Sequence, residues 1–211
     1  MKVEIRKITY QETKPFILGI HYARRMPSIS YAFGLFIDDE LVGCVTYGSP
    51  ASPYLCKGIA GEENRKNVIE LNRLVLLPDL NGKNYASYLV GRSLRMLPPG
   101  LFVVSYADTG WSHVGYVYQA TNWLFTGTTK PRTDMYSESG HSRHNCGDSK
   151  KRQYRTAKHR YVFLTGSKKQ RKRMLQSLRY EVYPQYPKGE SVHYDTENPQ
   201  NQITSKIQSV T

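Results

Sequence analysis

Where apolar and polar residues alternate along this chain, and where apolar ones run together, sorts its elements. Val3, Ile5 and Ile8, interleaved with Glu4, Arg6 and Lys7, predict an edge strand. Over 13–26, Phe16, Ile17, Ile20 and Ala23 share one helical face, with Pro15 in the first turn and Pro27 beyond the end. The stretches 31–37 and 40–47 predict a hairpin closed by Asp38 and Asp39. Residues 48–61, rich in Gly, Pro, Ser and Ala, predict a loop. VIELNRLVLL at 68–77 is apolar nearly throughout, which suits a central strand covered on both faces. Glu70, Asn72 and Arg73 interrupt it, and charges inside such a strand are costly unless paired or placed at a site.

A tight loop, PDLNGKN, leads into a helix over 85–97 whose one side carries Ala86, Leu89, Val90, Leu94 and Leu97. The stretch 101–127 organises the rest. Leu101, Phe102, Val103 and Val104 form a short buried strand, bounded by Pro98, Pro99 and Gly100 before and by Asp108 and Gly110 after. Val114, Val117, Tyr118 and Thr121 then recur at helical spacing over 112–121, and Trp123, Leu124 and Phe125 begin a strand that stops at Gly127. Such a unit makes a ligand crevice at the carboxyl end of its first strand. Ser105, Tyr106 and Asp108 would line that crevice, and Tyr118 would point back into it. Residues 130–153 read as a long polar loop, 159–165 as a strand, 168–178 as a very basic helix, and the chain from about 196 as a disordered tail. The fold class is α/β, a mixed sheet flanked by helices, with neither a phosphate-binding Walker loop nor a GxGxxG fingerprint.

Charge changes the picture of the partner rather than of the fold. Thirty Lys and Arg face 17 Asp and Glu, a formal +13, which points to nucleic acid. Seventeen tyrosines add faces that stack on unpaired bases. The three cysteines are scattered, as suits a reducing compartment. No run reaches membrane-spanning length and MKVEIRKITY lacks a signal-peptide core, so a soluble intracellular protein is expected.

The order of elements, together with GYVYQATNW, resembles the Gcn5-related N-acetyltransferase (GNAT) superfamily. That resemblance implies a central strand leading to a loop whose amides hold the pyrophosphate of acetyl-coenzyme A, a neighbouring strand that splays away, and a tyrosine on the following helix. Tyr118 takes the tyrosine place, with Asn122 and Trp123 where Gly and Phe are usual. LNGKNYAS replaces the usual glycine-rich phosphate loop; Leu76, Asn81, Gly82, Lys83 and Asn84 are the implied cofactor-binding residues. A closer resemblance is to the Mom family of phage DNA-modification proteins. It is carried by HYARRMPSISYAFGLF, LVGCVTYGSPAS, ELNRLVLLP, SYADTGWSHVGYVYQATNWLFTG and RTAKHRYVF. It implies addition of a methylcarbamoyl group to the exocyclic amine of adenine in double-stranded DNA, protection from host restriction, action in the cytoplasm of the bacterial host, use of acetyl-coenzyme A, and a proposed need for iron. The expected division is a GNAT-like core over 1–130, a basic extension over 131–195 that completes the domain and contacts DNA, and a tail over 196–211.

An adenine amine is a poor nucleophile, so its acylation needs positioning, a base and oxyanion stabilisation. Tyr118 is expected to donate a proton to the leaving thiolate; the plainer alternative ties its hydroxyl to a backbone carbonyl. Asp108 is expected to take the amine proton or hold the adenine edge, unless it only caps the next helix near Gly110. Arg73 would bind phosphate or a developing oxyanion, or else pair with Glu70. Ser105 would hydrogen-bond substrate. Tyr22, Tyr31, Tyr47 and Tyr106 are candidates to stack on a flipped base. His21 and Tyr22 are the residues that would ligate iron, although sites need several donors. HxxHxC at His141, His144 and Cys146 lacks the paired spacing of a zinc motif. Lys151, Arg152, Arg155, Lys158 and Arg160, with the cations at 168–173, are the expected phosphate contacts. Two other functions fit the same features: acetyl transfer to RNA or a small amine, and non-catalytic nucleic-acid binding.

Overall fold

The computed structural model describes residues 1–80, 83–135 and 152–189. In chain order its elements are β1 (Val3–Lys7), α1 (Tyr10–Lys14), a π-helical turn (Pro15–Ile20), β2 (Tyr31–Ile37), β3 (Glu40–Gly48), α2 (Pro53–Asn64) and β4 (Val68–Leu76). There follow α3 (Tyr85–Met96), β5 (Phe102–Asp108), α4 (Tyr116–Ala120), β6 (Leu124–Thr128), β7 (Arg132–Met135), β8 (Arg152–Arg155), β9 (Lys158–Leu164) and α5 (Lys168–Ser177). Seven strands form one mixed sheet in the order β1-β2-β3-β4-β5-β9-β6, and β7 pairs with β8 as a separate antiparallel ribbon. Within the large sheet only β4 and β5 are parallel; the other pairs are antiparallel.

Alternation along β5 assigns the two layers. Val103 faces the layer of α3, where Leu89, Val90 and Leu94 pack on Phe33, Leu35, Val45, Tyr47, Leu71, Trp123 and Tyr161. Phe102 and Val104 face the other side, against Ile59 and Ala60 of α2 and partly buried Met174 and Leu178 at α5. Further along that side Phe16 and Ile17 of the π-helical turn close over Cys44 and Val75. The central strand is thus covered on both faces, as its apolar run requires.

Several local expectations differ, among them the polar stretch 130–153 read as a loop, which carries β7 and the start of β8 at its ends. Helix α1 starts earlier than predicted, at a capping box in which the Thr9 side chain meets the Glu12 amide and the Glu12 side chain the Thr9 amide. The helical stretch then ends at Ile20, where the chain turns extended at His21, so His21 and Tyr22 lie on a loop. The glycine-rich stretch 48–61 is not all loop: α2 begins at Pro53, with proline where its missing N–H is harmless, and contains a kink at Gly61, φ 76°. The helix predicted over 112–121 is shorter, because Thr109–Trp111 form a 3₁₀ turn first. The expected tail from about 196, and His141, His144 and Cys146, lie outside the described residues.

Candidate active site at the strand split

Strands β4 and β5 pair only through Val68–Phe102, Ile69–Val103 and Glu70–Val104; beyond these they part. Separation of two parallel strands opens a split at their carboxyl ends, where α/β sheets bind ligands. Ser105, one residue past the last pair, spans it. Its Oγ lies 2.9 Å from Leu71 O on β4 and 2.7 Å from the Tyr118 hydroxyl. A serine has one proton and a carbonyl only accepts. The arrangement that satisfies all three atoms has Ser105 donating to Leu71 and accepting from Tyr118. Burial pushes the Tyr118 phenol up to about 12. The phenol is therefore neutral at physiological pH and able to donate.

Tyr118 is fixed by the short helix that carries it. Gly115 precedes α4 at φ 82°, and a Cβ there would fall 2.6 Å from the Tyr161 ring. Asn122 closes the helix at φ 59°, with the Trp123 N–H on Tyr118 O at 3.0 Å. That left-handed position explains the departure from the usual Gly: Asn is the residue that next best tolerates it. Trp123 is fully buried and packs on Tyr118 with ring centroids 5.0 Å apart.

The opposite face of the split is polar. Glu70 is the last β4 residue paired with β5, and among the described residues its carboxylate has no hydrogen bond or ion pair. Burial raises its pKa, with Arg73 and Lys158 opposing. Tyr118 and Glu70 are within electrostatic reach of one another. Sequence reasoning noted Glu70 only as an interruption of a strand; the signal available was a lone carboxylate in an apolar run. Arg73 follows an irregularity where β3 and β4 slip register between Thr46 and Tyr47. Its Nη1 donates to Asn72 O at 2.6 Å and its Nη2 to Arg25 O at 3.1 Å, while Nε is buried without a partner.

His21 is buried, and its Nδ1 accepts the Ala23 N–H at 3.0 Å. Burial, then the charge of Arg73, brings its pKa down to about 3, so the ring is neutral. It stacks on Tyr22 at 4.4 Å, and Tyr22 meets Trp111 at 5.6 Å. Asp108 has both oxygens engaged: Oδ1 accepts the Gly110 N–H at 2.9 Å and the Thr156 hydroxyl, and Oδ2 lies 2.9 Å from Lys158 Nζ. Burial works to raise its pKa, but Lys158, Thr156 and Gly110 together hold it below the usual carboxylate value.

Tyr118, Ser105, Arg73, Tyr22, His21 and Glu70 therefore converge; several other expected residues do not. Tyr47 is fully buried with its hydroxyl 2.7 Å from Ser93 Oγ, so it has no face to offer a base. Tyr31, half-buried, packs against that same core. Tyr106 is half-buried against the α2 layer, within electrostatic reach of Glu70. Arg160 does not project as a phosphate contact: its Nη2 donates to Thr126 O at 2.7 Å and its guanidinium lies 3.4 Å over the Tyr180 ring. Lys158 is held by Asp108. Arg155 pairs with Arg132 across the ribbon, Arg152 with Met135, and Lys151 lies outside the described residues. Leu76 ends β4, and Lys83 and Asn84 are exposed before α3, where Asn84 gives no side-chain cap; Asn81 and Gly82 lie outside the described residues. Among the described residues no three His, Cys, Asp or Glu gather to hold a metal ion, and His21 with Tyr22 make no iron site by themselves.

The model of the Mom protein family matches residues 2–153. The chain belongs to the Mom protein family. The methylcarbamoylase Mom of Escherichia phage Mu is 30% identical to this Mom-family chain over 131 residues, 60% of this chain and 54% of the phage protein. The chain thus spans about half the length of that relative. Among solved structures, a putative acetyltransferase from Salmonella typhimurium, yncA, superposes with TM-score 0.50 at 9% identity, covering 79% of this chain and 96% of its own. Its structure was determined with its cofactor acetyl-CoA. An N-acetyltransferase from Staphylococcus aureus Mu50 gives 0.49 at 17% identity, covering 78% and 99%. The Mom-family chain has the GNAT fold, and no helix among its described residues is long and apolar enough to cross a membrane.

Proposed function

We propose that this chain is a phage DNA-modification enzyme. It adds a methylcarbamoyl group to the exocyclic amine of adenine in double-stranded DNA, uses acetyl-coenzyme A, and so shields phage DNA from host restriction. The observation that carries this reading is a proton acceptor and a proton donor facing one split: Glu70, half-buried and without a hydrogen bond or ion pair among the described residues, and the neutral phenol of Tyr118. Acylation of a weak amine needs both. Family membership and the phage Mu relative support the choice of substrate.

The first-turn amides of a helix lack intrahelical partners, and Asn84 leaves those of α3 without a side-chain cap, which suits a pyrophosphate. Leu76, Lys83 and Asn84 would hold the coenzyme there. When bound, acetyl-coenzyme A supplies an activated acyl thioester. Glu70 takes the proton that the amine sheds as the C–N bond forms. Arg73 brings positive charge, and a donor still lacking an acceptor, to the oxygen that gains negative charge. Tyr118 would supply the proton to the leaving thiolate, and the Ser105 hydroxyl, turning its one proton from Leu71 O, would hydrogen-bond the phenolate left behind. Solvent then restores both protonation states. These transfers account for the acyl step alone; a methylcarbamoyl group holds one nitrogen more than an acetyl group, and an amine co-substrate would have to supply it in a separate step. Helix α5 supplies phosphate contacts: Lys168, Lys169, Arg171, Lys172 and Arg173 are exposed and form no ion pair among the described residues.

The test is mass spectrometry of nucleosides from plasmid DNA in cells that express the chain or its Glu70→Gln variant. A heavier deoxyadenosine with the wild type alone is expected, and its mass identifies the group. Unmodified deoxyadenosine in cells with abundant soluble protein overturns the proposal.

A further inference from the structure

Two rings at the polar face of the split have no part in the proton transfers. Tyr22 is 36% exposed, and Trp111 lies against it at 5.6 Å with the rings tilted by 45°. Tyr22 is backed by the buried imidazole of His21, 4.4 Å away and nearly parallel. The three rings make a continuous aromatic ledge. It stands at the reacting end of the site, since the Tyr22 hydroxyl is within electrostatic reach of both Arg73 and Tyr118. Beside it is the buried Arg73 Nε that lacks an acceptor.

Trp111 is held there from below. It closes the 3₁₀ turn Thr109–Trp111, and that turn is capped by Asp108, which accepts the Gly110 N–H. The same carboxylate binds Thr156 and Lys158 at the entrance to β9, and the Thr109 N–H and hydroxyl both donate to Ala157 O. A carboxylate with both oxygens engaged, and with a pKa held low, is a weak proton acceptor and a strong anchor.

We propose that Tyr22 and Trp111 form the surface on which an unstacked adenine rests, and that Asp108 is a positioning residue which fixes Trp111 rather than a base. This rests on the DNA-adenine reading above. A base drawn out of a duplex loses its stacking, and aromatic rings in the receiving site restore it. Histidine held neutral behind Tyr22 keeps the ledge uncharged on its inner side, so the stacking surface does not repel Arg73.

The full chain is titrated with two duplexes that differ at one position, one carrying a mismatched adenine and the other an abasic site opposite the same base. Affinity is measured together with intrinsic tryptophan fluorescence. The chain has two tryptophans, and Trp123 is fully buried, so Trp111 reports contact with a base. The wild type is expected to bind the adenine duplex about tenfold tighter, with quenching. Trp111→Ala and Tyr22→Ala are expected to lose that preference while still binding the abasic duplex as the wild type does. Trp111→Phe, which keeps an aromatic face, is expected to keep the preference, and Asp108→Asn to weaken it. An adenine preference unchanged in Trp111→Ala overturns the ledge. If the wild type leaves cellular deoxyadenosine unmodified yet shows the Trp111-dependent preference, the ledge stands and the function proposed above fails.

Discussion

The two faces of the strand split contain similar residue types and treat them in opposite ways. On the α3 and α4 side the buried hydroxyls have partners: Tyr47 on Ser93, Tyr161 on Val114 O, Ser105 on Leu71 O and Tyr118 on Ser105. Only Trp123 Nε1 is left over there among the described residues. On the other side, among the described residues, the Glu70 carboxylate has no hydrogen bond or ion pair and Arg73 Nε has no acceptor, and His21 is kept neutral far below its ordinary pKa. A folded chain satisfies its buried polar groups where nothing else is required. Groups left costly are the ones that chemistry uses.

Substitutions at Glu70 test this contrast most severely. Glu70→Gln keeps the shape and removes the proton acceptor. Turnover on DNA should fall by about 10²–10⁴-fold, while thermal stability stays level or rises, because a half-buried carboxylate without a hydrogen bond among the described residues has gone. The pH profile sharpens the point. Burial raises the Glu70 pKa, so the base form is complete only at a pH above the ordinary carboxylate range. The acid limb of kcat/KM should therefore lie above the ordinary carboxylate range, and Glu70→Gln should abolish it. A variant that keeps its rate and its acid limb would place the proton acceptor elsewhere.

The next effect is on stability in acid. The His21 pKa is about 3 in the folded chain, against about 6.5 when exposed. Between those values the unfolded chain binds a proton that the folded one refuses. The contribution of neutral His21 is thus whole above about pH 6.5 and is lost as pH falls toward 3, by about 1.4 kcal/mol per unit. Urea denaturation from pH 7 to pH 4.5 should show this slope. His21→Asn, which still offers the Ala23 N–H an acceptor, should flatten it. An equal slope in wild type and variant would mean that His21 titrates freely.

How much of this was legible in the chain divides along the same line. The continuous apolar run at 68–77 declared β4 and the one-sided apolar spacing at 85–97 declared α3, because packing against a core leaves such traces, while the run of cations at 168–178 declared the exposed helix α5. Tyr118 and Ser105 were legible as a pair in one strand–helix unit, and the split brings them to 2.7 Å. Helix α2 was hidden because glycine and serine dominate its approach and Gly61 bends it at a positive φ. His21 and Tyr22 were placed on a helix because 3.6-residue periodicity continues past Ile20, whereas a π-helical turn breaks the ladder there. Glu70 and Trp111 were missed as site residues for another reason. Their meaning depends on which neighbours fail to meet them, or on a turn held from the far side of the sheet, and no local pattern encodes either.

Tyr47 gives the smallest effect and the cleanest control. Position along β3 puts it on the same face as Val45, under α3, and its register partner Leu71 lies in the same core. Removal of its hydroxyl breaks one buried hydrogen bond to Ser93, whose own donor already reaches Val90 O at 3.0 Å, so no donor is stranded. Tyr47→Phe should cost about 1 kcal/mol of stability and leave turnover on DNA unchanged. Thermal denaturation and rate measurements on the same preparation decide it. A loss of rate as deep as that of Glu70→Gln, with the fold intact, would mean that the α3 face also handles substrate, and the division between a face that is satisfied and a face that works would fail.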